Sequence, residues 1–445
     1  MCIRDSDGTQ DIVFKSDMGV VGLSHLYFFN PTTSAKLVIA ASGTSQPISI
    51  DTIIRPSLIL FKKYEGVFDN NRISLNYSVN KKWDRQNTFN VGINIDRIGF
   101  SLKDKSADAA STGKPLVAVR NSEGANMLYQ GWMQWQHKFN ERLTMNLGLH
   151  TQIFSLNNQI ALEPRAGLKY QLNQKSTLSL GAGVHNQTQP IFFYYNRTPG
   201  TSELSNKDLR FTNSNHFVLG YDNSFSKNWR IKTEVYYQSL NNVPIDAKSS
   251  TFSMLNVGSN FNLPGNDSLV NKGTGYNYGA ELTLERFFNN GFYLLGTASL
   301  FESKYKGSDG VLRNTAFNGN YVFNALGGYE FKIGKKITLS ADLKSTFAGG
   351  RRFTPIDEIA SLAQKRIIEI ESKAFTTQLP AYFRTDLSIG FKMEGKRATQ
   401  QFILQINNIS DNFNVFQRRY SVTDNKIIDV PQQGLFIIPQ YRILF

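Results

Sequence analysis

Apolar and polar residues alternate along most of this chain. The stretch that begins at Lys336 shows the pattern well. Its apolar positions are Ile337, Leu339, Ala341, Leu343 and Phe347, and the polar positions between them are Thr338, Ser340, Asp342, Lys344 and Thr346. Similar alternation begins near Ile73, Leu143, Ile160 and Tyr276. A period of two is typical of a β-strand whose two faces meet different surroundings.

The length of these segments separates two classes of all-β protein. About 17 segments can be counted, and most reach the roughly 9–11 residues that a tilted strand needs to cross a bilayer. Strands of soluble proteins are mostly about 5–6 residues long. The pattern therefore predicts an all-β fold, a transmembrane antiparallel up-and-down β-barrel.

Short turns and long loops alternate between the predicted strands. The short turns, such as Asn289-Asn290-Gly291 and Gly334-Lys335, contain residues that accept the positive φ of tight hairpins. The long loops lie at about residues 51–69, 105–123, 195–209, 244–273, 351–379 and 411–434. One connection on the loop side, near Asn157-Asn158, is short. Short turns on one side and long loops on the other are typical of outer-membrane barrels.

The strand count and the first residues predict an incomplete barrel. The count of about 17 is odd, whereas bacterial outer-membrane barrels have an even number of strands. Residues 1–10 include Arg4, Asp5 and Asp7 and contain no apolar stretch of the kind a secretory signal needs. We therefore expect strands to be missing at the N-terminus.

One segment has a helical pattern. Residues 356–372 lie inside a predicted long loop, and five of them share one face of a helix. These residues are Ile359, Leu362, Ala363, Ile367 and Ile370. We expect a short helix on the barrel rim, with partner docking as the alternative.

The composition excludes several classes of protein. The chain has 445 residues, 40% of them apolar, and a mean hydropathy of −0.32, which is too polar for a bundle of membrane helices. Its single cysteine, Cys2, excludes an intrachain disulfide framework. The net charge of +14 is spread along strands and turns without a nucleic-acid-binding module, so we expect no nucleic-acid partner. Cationic loops suit anionic lipopolysaccharide or an anionic ligand.

The motifs of common enzymes are absent from the sequence. It contains no H-E-x-x-H, no G-x-S-x-G and no P-loop, and its five histidines lie on separate strands. We expect His150 and His185 to line the lumen. The sequence therefore predicts neither an enzyme nor a resident metal or cofactor.

Seven loop or rim residues are candidates for ligand contact. They are Tyr194, Tyr195, Arg197, Arg351, Arg352, Arg418 and Arg419. The tyrosines and Arg197 lie at the end of a predicted strand, where an aromatic belt is the alternative to ligand stacking. The paired arginines follow other strand ends, where contact with lipid phosphates or loop carboxylates is the alternative.

Two further sets of residues follow from the barrel prediction. Four aromatic residues beside a tight turn are expected in the periplasmic girdle, and they are Phe287, Phe288, Phe292 and Tyr293. A polar stripe of Glu281, Thr283 and Glu285 is expected to face the lumen.

The end of the chain resembles a known recognition signal. Tyr441, Ile443 and the terminal Phe445 share one face of the last predicted strand. A terminal aromatic residue preceded by alternate apolar residues resembles the signal that the outer-membrane barrel-assembly machinery reads.

Several longer motifs resemble one family over nearly the whole chain. Residues 382–387 (YFRTDL), 402–412 with Asn407-Asn408-Ile409, and 441–445 are similar to the closing strands of TonB-dependent receptors of the Bacteroidota type. Residues 318–324 (NGNYVFN) and 348–355 (AGGRRFTP) resemble the same family. Such receptors carry a signal peptide, a TonB box and a plug domain ahead of a 22-stranded barrel. We therefore expect residues 1–445 to be the C-terminal part of that barrel, without those leading segments.

The resemblance implies energised uptake at the outer membrane of a Gram-negative cell. Outer loops and plug bind a siderophore, cobalamin or glycan, and the TonB complex acts on the N-terminal region to open a path. The alternatives are a passive porin-like channel and a structural or adhesive surface barrel. Outer-membrane lipid, lipopolysaccharide, the assembly machinery and a small-molecule or oligosaccharide ligand are the expected partners.

Overall fold

The fold is nearly all β. The computed structural model describes residues 2–4, 10–54, 59–107, 115–196, 203–259, 268–421 and 424–445. The first half of the chain contains β1 (Cys2–Arg4), β2 (Gln10–Phe14), β3 (Asp17–Asn30), β4 (Thr33–Ile54), β5 (Ile59–Lys82), β6 (Asn87–Ser106), β7 (Val117–Lys138), β8 (Leu143–Phe154), β9 (Gln159–Gln171), β10 (Ser176–Gln187), β11 (Thr212–Asn223) and β12 (Trp229–Asp246). The second half contains β13 (Leu269–Asn289), β14 (Phe292–Lys306), β15 (Leu312–Asn314), β16 (Tyr321–Ile333), β17 (Ile337–Ala348), β18 (Arg352–Phe353), β19 (Thr377–Gln378), β20 (Tyr382–Glu394), β21 (Thr399–Asn407), β22 (Val415–Ser421), β23 (Lys426–Pro431) and β24 (Phe436–Leu444).

The long strands form a single antiparallel meander, in which each pairs with the next along the chain, from β4–β5 to β21–β24. β2 and β3 pair with successive parts of β4, and β15 and β16 with successive parts of β14, so each of these two pairs occupies one position. β18–β19 and β22–β23 are separate hairpins within loops. In the part of the chain that the structure describes, the sheet therefore has seventeen strand positions beside the short β1, which confirms the predicted count of about 17. Within the described residues, β3 pairs only with β4 and β24 only with β21.

All connections at one end of the meander are short. They are residues 31–32, 83–86, 139–142, 172–175, 224–228, 290–291, 334–336 and 395–398. The Asn140 carboxamide oxygen accepts hydrogen bonds from the backbone N–H groups of Arg142 and Leu143, at 2.8 and 2.9 Å. Asn290 and Gly291 have φ values of 53° and 79°, as a two-residue hairpin requires. Local side-chain chemistry thus closes the turns, as predicted.

The opposite end carries the longer connections, and two of the predicted loops there are wrong. The chain at 51–69 is mostly strand, because β4 and β5 stay paired up to Ile54 and Ile59. The predicted loop at 105–123 is likewise shorter than expected, because Ser106 of β6 pairs with Val117 of β7. Backbone pairing extends both hairpins here although these residues do not alternate strictly between apolar and polar. A further long connection, residues 307–320, was not predicted, and it contains the short strand β15. The short connection at 155–158 is confirmed.

Burial is inverted relative to a soluble protein. On β9, Leu162 is 62% exposed and Ile160 67%, whereas their neighbour Glu163 is 1% exposed. Asp96 on β6 is also fully buried. In water such a surface would leave apolar area unburied on every strand. The apolar face therefore suits lipid and the polar face lines the interior, which defines a transmembrane β-barrel wall.

Aromatic residues collect on the outer face near the short turns. Phe89 stacks on Trp135 with ring centroids 6.1 Å apart. The Arg286 guanidinium lies 4.6 Å from the Phe292 ring centre and 6.0 Å from that of Trp229. This is the arrangement expected of an interfacial girdle.

Tyr293 was predicted to belong to this girdle, and that prediction is wrong. The Tyr293 hydroxyl donates a 2.6 Å hydrogen bond to the Asp342 carboxylate, on the polar face of the sheet. Tyr293 faces inward because it alternates with Phe292 along β14. The stripe of Glu281, Thr283 and Glu285 also faces inward, and Glu285 lies 3.7 Å from the Arg230 guanidinium.

The helices of the described part of the chain are short. α1 (Ile191–Tyr194) and α2 (Glu358–Gln364) are accompanied by 3₁₀ turns at Met254–Asn256 and Glu371–Lys373. None of the helices that the structure describes is long and apolar enough to cross a membrane. α2 is shorter than the predicted 356–372 helix, because Lys365 adopts the left-handed conformation, with φ 53°, and ends it.

Candidate functional site

The outer loops near β7–β13 pack into an apolar layer at the mouth of the sheet. The buried members of this layer are Leu128, Phe154, Ala161, Phe193, Tyr194, Leu209, Phe211 and Leu269. They come from four strands and the loop that contains α1, so the layer ties that loop to the barrel wall. A packed loop of this kind presents a defined surface at the mouth.

Tyr194 belongs to the interior of this layer and does not line a ligand surface. Its side chain is fully buried, with its ring centroid 5.3 Å from that of Phe154. Its hydroxyl oxygen accepts a hydrogen bond from the Gln189 backbone N–H at 3.1 Å, and burial raises the pKa of Tyr194 to about 12. The predicted ligand contact is therefore wrong for Tyr194. The physical reason is the single turn of α1, which directs this side chain into the layer.

Tyr195 remains partly accessible beside that layer. Its ring centroid lies 4.3 Å from that of Phe100, and its hydroxyl is hydrogen-bonded to the Asn126 carboxamide. It lies in a loop and not at the end of a transmembrane strand, so it is not part of an aromatic belt. Arg197, the third predicted residue of this group, lies outside the described residues.

Two sequence motifs that were assigned to the same family contact each other at the loop end. A Cβ atom added at Gly349 would lie 1.7 Å from the Gly319 carbonyl oxygen, and one at Gly350 would lie 1.9 Å from the Leu379 carbonyl oxygen. The Gly349 N–H donates to the Tyr321 carbonyl at 3.0 Å. Glycine is required at both positions because the two loop backbones approach too closely for any side chain.

Arg351 and Arg352 fasten these loops together. Arg351 donates to the carbonyl oxygen of Ser259 and, at 2.9 Å, to that of Phe416, so its guanidinium joins three loops. Arg352 donates to the Asn318 carbonyl at 2.9 Å and to the Asn320 carboxamide oxygen at 2.9 Å. Burial lowers the pKa of Arg351 from its ordinary value.

Arg418 and Arg419 lie on opposite faces of the β22–β23 hairpin. Arg418 forms an ion pair with Asp429 at 2.8 Å and lies 4.9 Å from the Phe353 ring centre. Arg419 faces the other way, opposite Ile428. Arg418 thus contacts a loop carboxylate, which was the alternative to ligand contact in the sequence-based prediction. For Arg419, ligand contact stays a prediction.

The inner face of the wall is a ladder of hydrogen-bonded charges. The Asp96 carboxylate is held by Arg72, by Ser74 at 2.5 Å and by Asn94 at 2.6 Å. Such pairing is what buried charges require. The ladder makes the interior polar and rigid.

Glu163 is the most connected carboxylate of this face. It accepts hydrogen bonds from Gln152 at 2.8 Å, from Arg165 at 2.8 Å and from the Asn186 backbone N–H at 2.9 Å, and it is paired with His150 at 2.8 Å. His150 therefore faces the interior, as predicted.

His185 also faces the interior, with its ring centroid 4.8 Å from that of His216. In the described part of the chain, no group of three or more His, Cys, Asp or Glu side chains could hold a metal ion.

Several asparagines that were not predicted as functional residues organise the loop ends. Asn318 and Asn320 both donate to the Glu302 carboxylate, at 3.1 and 2.6 Å. Asn408 is fully buried and has a φ of 50°, and its backbone N–H donates a hydrogen bond to the Asp386 carboxylate at 2.8 Å. The signal was present in the repeated Asn-x-Asn and Asn-Asn motifs at strand ends, because asparagine both caps loops and accepts positive φ.

The predicted assembly signal lies on the last strand. Tyr441 pairs with Phe402 across β21–β24, with ring centroids 4.6 Å apart, and Ile443 follows on the same face. Phe445 comes one residue after β24 and is fully exposed. The face is the one that presents apolar residues to lipid.

These features define a transmembrane β-barrel with structured outer loops, and comparison with known proteins gives the family. Residues 20–409 match the family described as TonB dependent receptor-like, beta-barrel. The chain belongs to this family. A comparison with curated proteins gave no match by sequence. The Bacteroidota type stays a prediction.

Solved structures share the fold at low sequence identity. The chain is similar to the ferric-catecholate import receptor Fiu of E. coli K12, at 11% identity and a TM-score of 0.67, covering 98% of this chain and 65% of that one. It is similar to the ferric yersiniabactin uptake receptor FyuA of Yersinia pestis, at 11% identity and a TM-score of 0.67, covering 98% and 62%. It is also similar to the pyoverdine receptor FpvA of Pseudomonas aeruginosa, at 12% identity and a TM-score of 0.66, covering 96% and 61%. The chain thus spans less than two thirds of the length of these three receptors.

Proposed function

We propose that this chain forms the barrel wall and outer loops of a receptor in the outer membrane of a Gram-negative cell. The receptor takes up a scarce nutrient with energy delivered by TonB. The observation that carries the proposal is the family match over residues 20–409 on a wall with inverted burial. Members of this family are transport receptors, so we propose a transport role for this chain and no enzymatic activity.

The nutrient class to test first is a ferric siderophore. The names of Fiu, FyuA and FpvA refer to a ferric catecholate, ferric yersiniabactin and pyoverdine. Cobalamin and glycans are the other classes that the family resemblance suggests. Tyr195 and Arg351 are the predicted ligand contacts whose surroundings favour the role most, because both lie at the loop end and are partly accessible.

The partners follow from the same proposal. TonB acts through the plug and TonB box that the resemblance places ahead of the barrel. The apolar outer face contacts outer-membrane lipid, and the cationic loops meet lipopolysaccharide. Tyr441, Ile443 and Phe445 form the signal for the barrel-assembly machinery.

The test is uptake in the source organism. The gene is deleted, and accumulation of ⁵⁵Fe-labelled siderophores, labelled cobalamin and labelled oligosaccharides is compared with wild type and with a strain that lacks TonB. We expect one nutrient class to be lost in both mutants. Uptake that persists without TonB, together with free sugar flux through the purified protein in liposome swelling, would refute the proposal and favour a passive channel.

A further inference from the structure

The most informative unassigned feature is a cavity beside Arg351. It has a volume of about 280 Å³ and lies between the loops of residues 349–381 and 408–435. Arg351, Tyr382, Asn414 and Gln432 are among its lining residues, and the lining contains no aspartate or glutamate. Tyr382 is the first residue of β20, and its side chain lies on the same inward face as that of Arg384. The cavity therefore adjoins the mouth of the lumen.

Within the ranges that the structure describes, no carboxylate balances the charge of Arg351. Among the described residues, no acidic side chain lies within 4.0 Å of its guanidinium, whereas the nearby Arg384 is paired with Asp386 at 2.6 Å. A guanidinium has five N–H donors, and two of those of Arg351 are used on the carbonyls of Ser259 and Phe416. Three donors are left for a ligand, on a cation whose orientation the two carbonyls hold in place.

A partly buried cation without a counter-charge favours an anion. Removal of a charge from water is costly unless an opposite charge or several hydrogen bonds compensate it. The planar guanidinium matches the geometry of carboxylates and other oxyanions. The volume of about 280 Å³ lies at the lower edge of the roughly 300–1,000 Å³ of pockets that hold drug-sized ligands. Its size suits one charged group of a larger molecule.

We infer that this cavity is a subsite for an oxyanion group, such as a carboxylate, of the transported nutrient, with Arg351 as its main donor. The inference rests on the proposed function, since it names the chemical class of that nutrient. It also separates Arg351 from Arg352, because Arg352 is not among the residues that line the cavity.

The test uses citrate as an anionic probe and its uncharged trimethyl ester as the neutral counterpart. Each is titrated calorimetrically into the purified protein in detergent. We expect citrate to bind and the ester not to bind. Arg351→Gln should weaken citrate binding about ten- to hundredfold, the effect of losing a charge-assisted hydrogen bond. Arg351→Lys should lie between the two. Arg142→Gln, in the short turn at residues 139–142 at the opposite end of the sheet, should bind citrate like wild type.

A second measurement is needed in case Arg351→Gln loses citrate binding only because its loops no longer fold. Hydrogen exchange of the wild-type protein with and without citrate should show protection at residues 349–352 and 414–416. Absence of citrate binding to wild type, equal binding by Arg351→Gln, or protection confined to other loops would overturn the inference. Uptake that is independent of TonB with citrate binding intact would instead refute the proposed transport and leave the anion subsite standing.

Discussion

Leu343→Arg should reveal which solvent the outer face of the wall meets. Leu343 lies near the middle of β17, is 49% exposed and pairs with Leu387 on β20. It is six residues from Ile337, which is about 20 Å along a strand with a rise of about 3.4 Å per residue. With a tilt of about 40°, this is about 15 Å along the bilayer normal, farther than an arginine side chain extends toward the interface.

The expected cost follows from that depth. An arginine at the bilayer midplane of a transmembrane barrel costs about 2–4 kcal/mol, whereas a substitution on a water-exposed strand face costs at most about 0.5 kcal/mol. The matched control is Ser388→Arg, at the same height on the inward face and opposite Asp342. That variant gains a carboxylate neighbour, and its free energy of unfolding should stay within about 1 kcal/mol of wild type.

Equilibrium unfolding in guanidinium chloride checks this prediction, with the protein folded into lipid vesicles and tryptophan fluorescence as the signal. The unfolding free energy of Leu343→Arg should fall by about 2–4 kcal/mol with an unchanged slope. Equal costs for Leu343→Arg and Ser388→Arg, or a cost below about 0.5 kcal/mol for Leu343→Arg, would refute the assignment of the two faces.

Three further predictions concern the loops, the interior and assembly. Gly349→Ala should destabilise the protein by about 1–3 kcal/mol, since its Cβ would meet the Gly319 carbonyl, whereas Gly181→Ala, where nothing lies within 4 Å, should not; equal melting temperatures would contradict this. Glu163→Gln should lower the free energy of unfolding by about 1–3 kcal/mol, because it weakens the hydrogen bonds of buried donors; a neutral effect in guanidinium unfolding would count against the Glu163 network. Phe445→Ser should reduce the amount of folded barrel in membranes, measured by heat-modifiable migration in gels; normal insertion would remove the assembly-signal hypothesis.

The strands and their faces follow from the sequence because alternation is a local property. Each residue of β17 is assigned to lipid or lumen by its parity alone, and Leu343 and Asp342 lie on the faces that parity assigns. The short turns are local too, since Asn140 bonds to backbone groups two and three residues away. The alternation of turns and loops then orders the meander without any long-range information.

The surroundings of the loop residues were decided by the tertiary structure alone. Tyr194 and Arg351 both looked like exposed contacts, yet one is buried against Phe154 and the other joins loops that are 92 and 65 residues distant in sequence. No periodicity marks such contacts, because they depend on how separate loops meet at one end of the sheet. The sequence therefore determined the wall and its two faces, whereas loop packing determined which loop side chains remain available to a ligand.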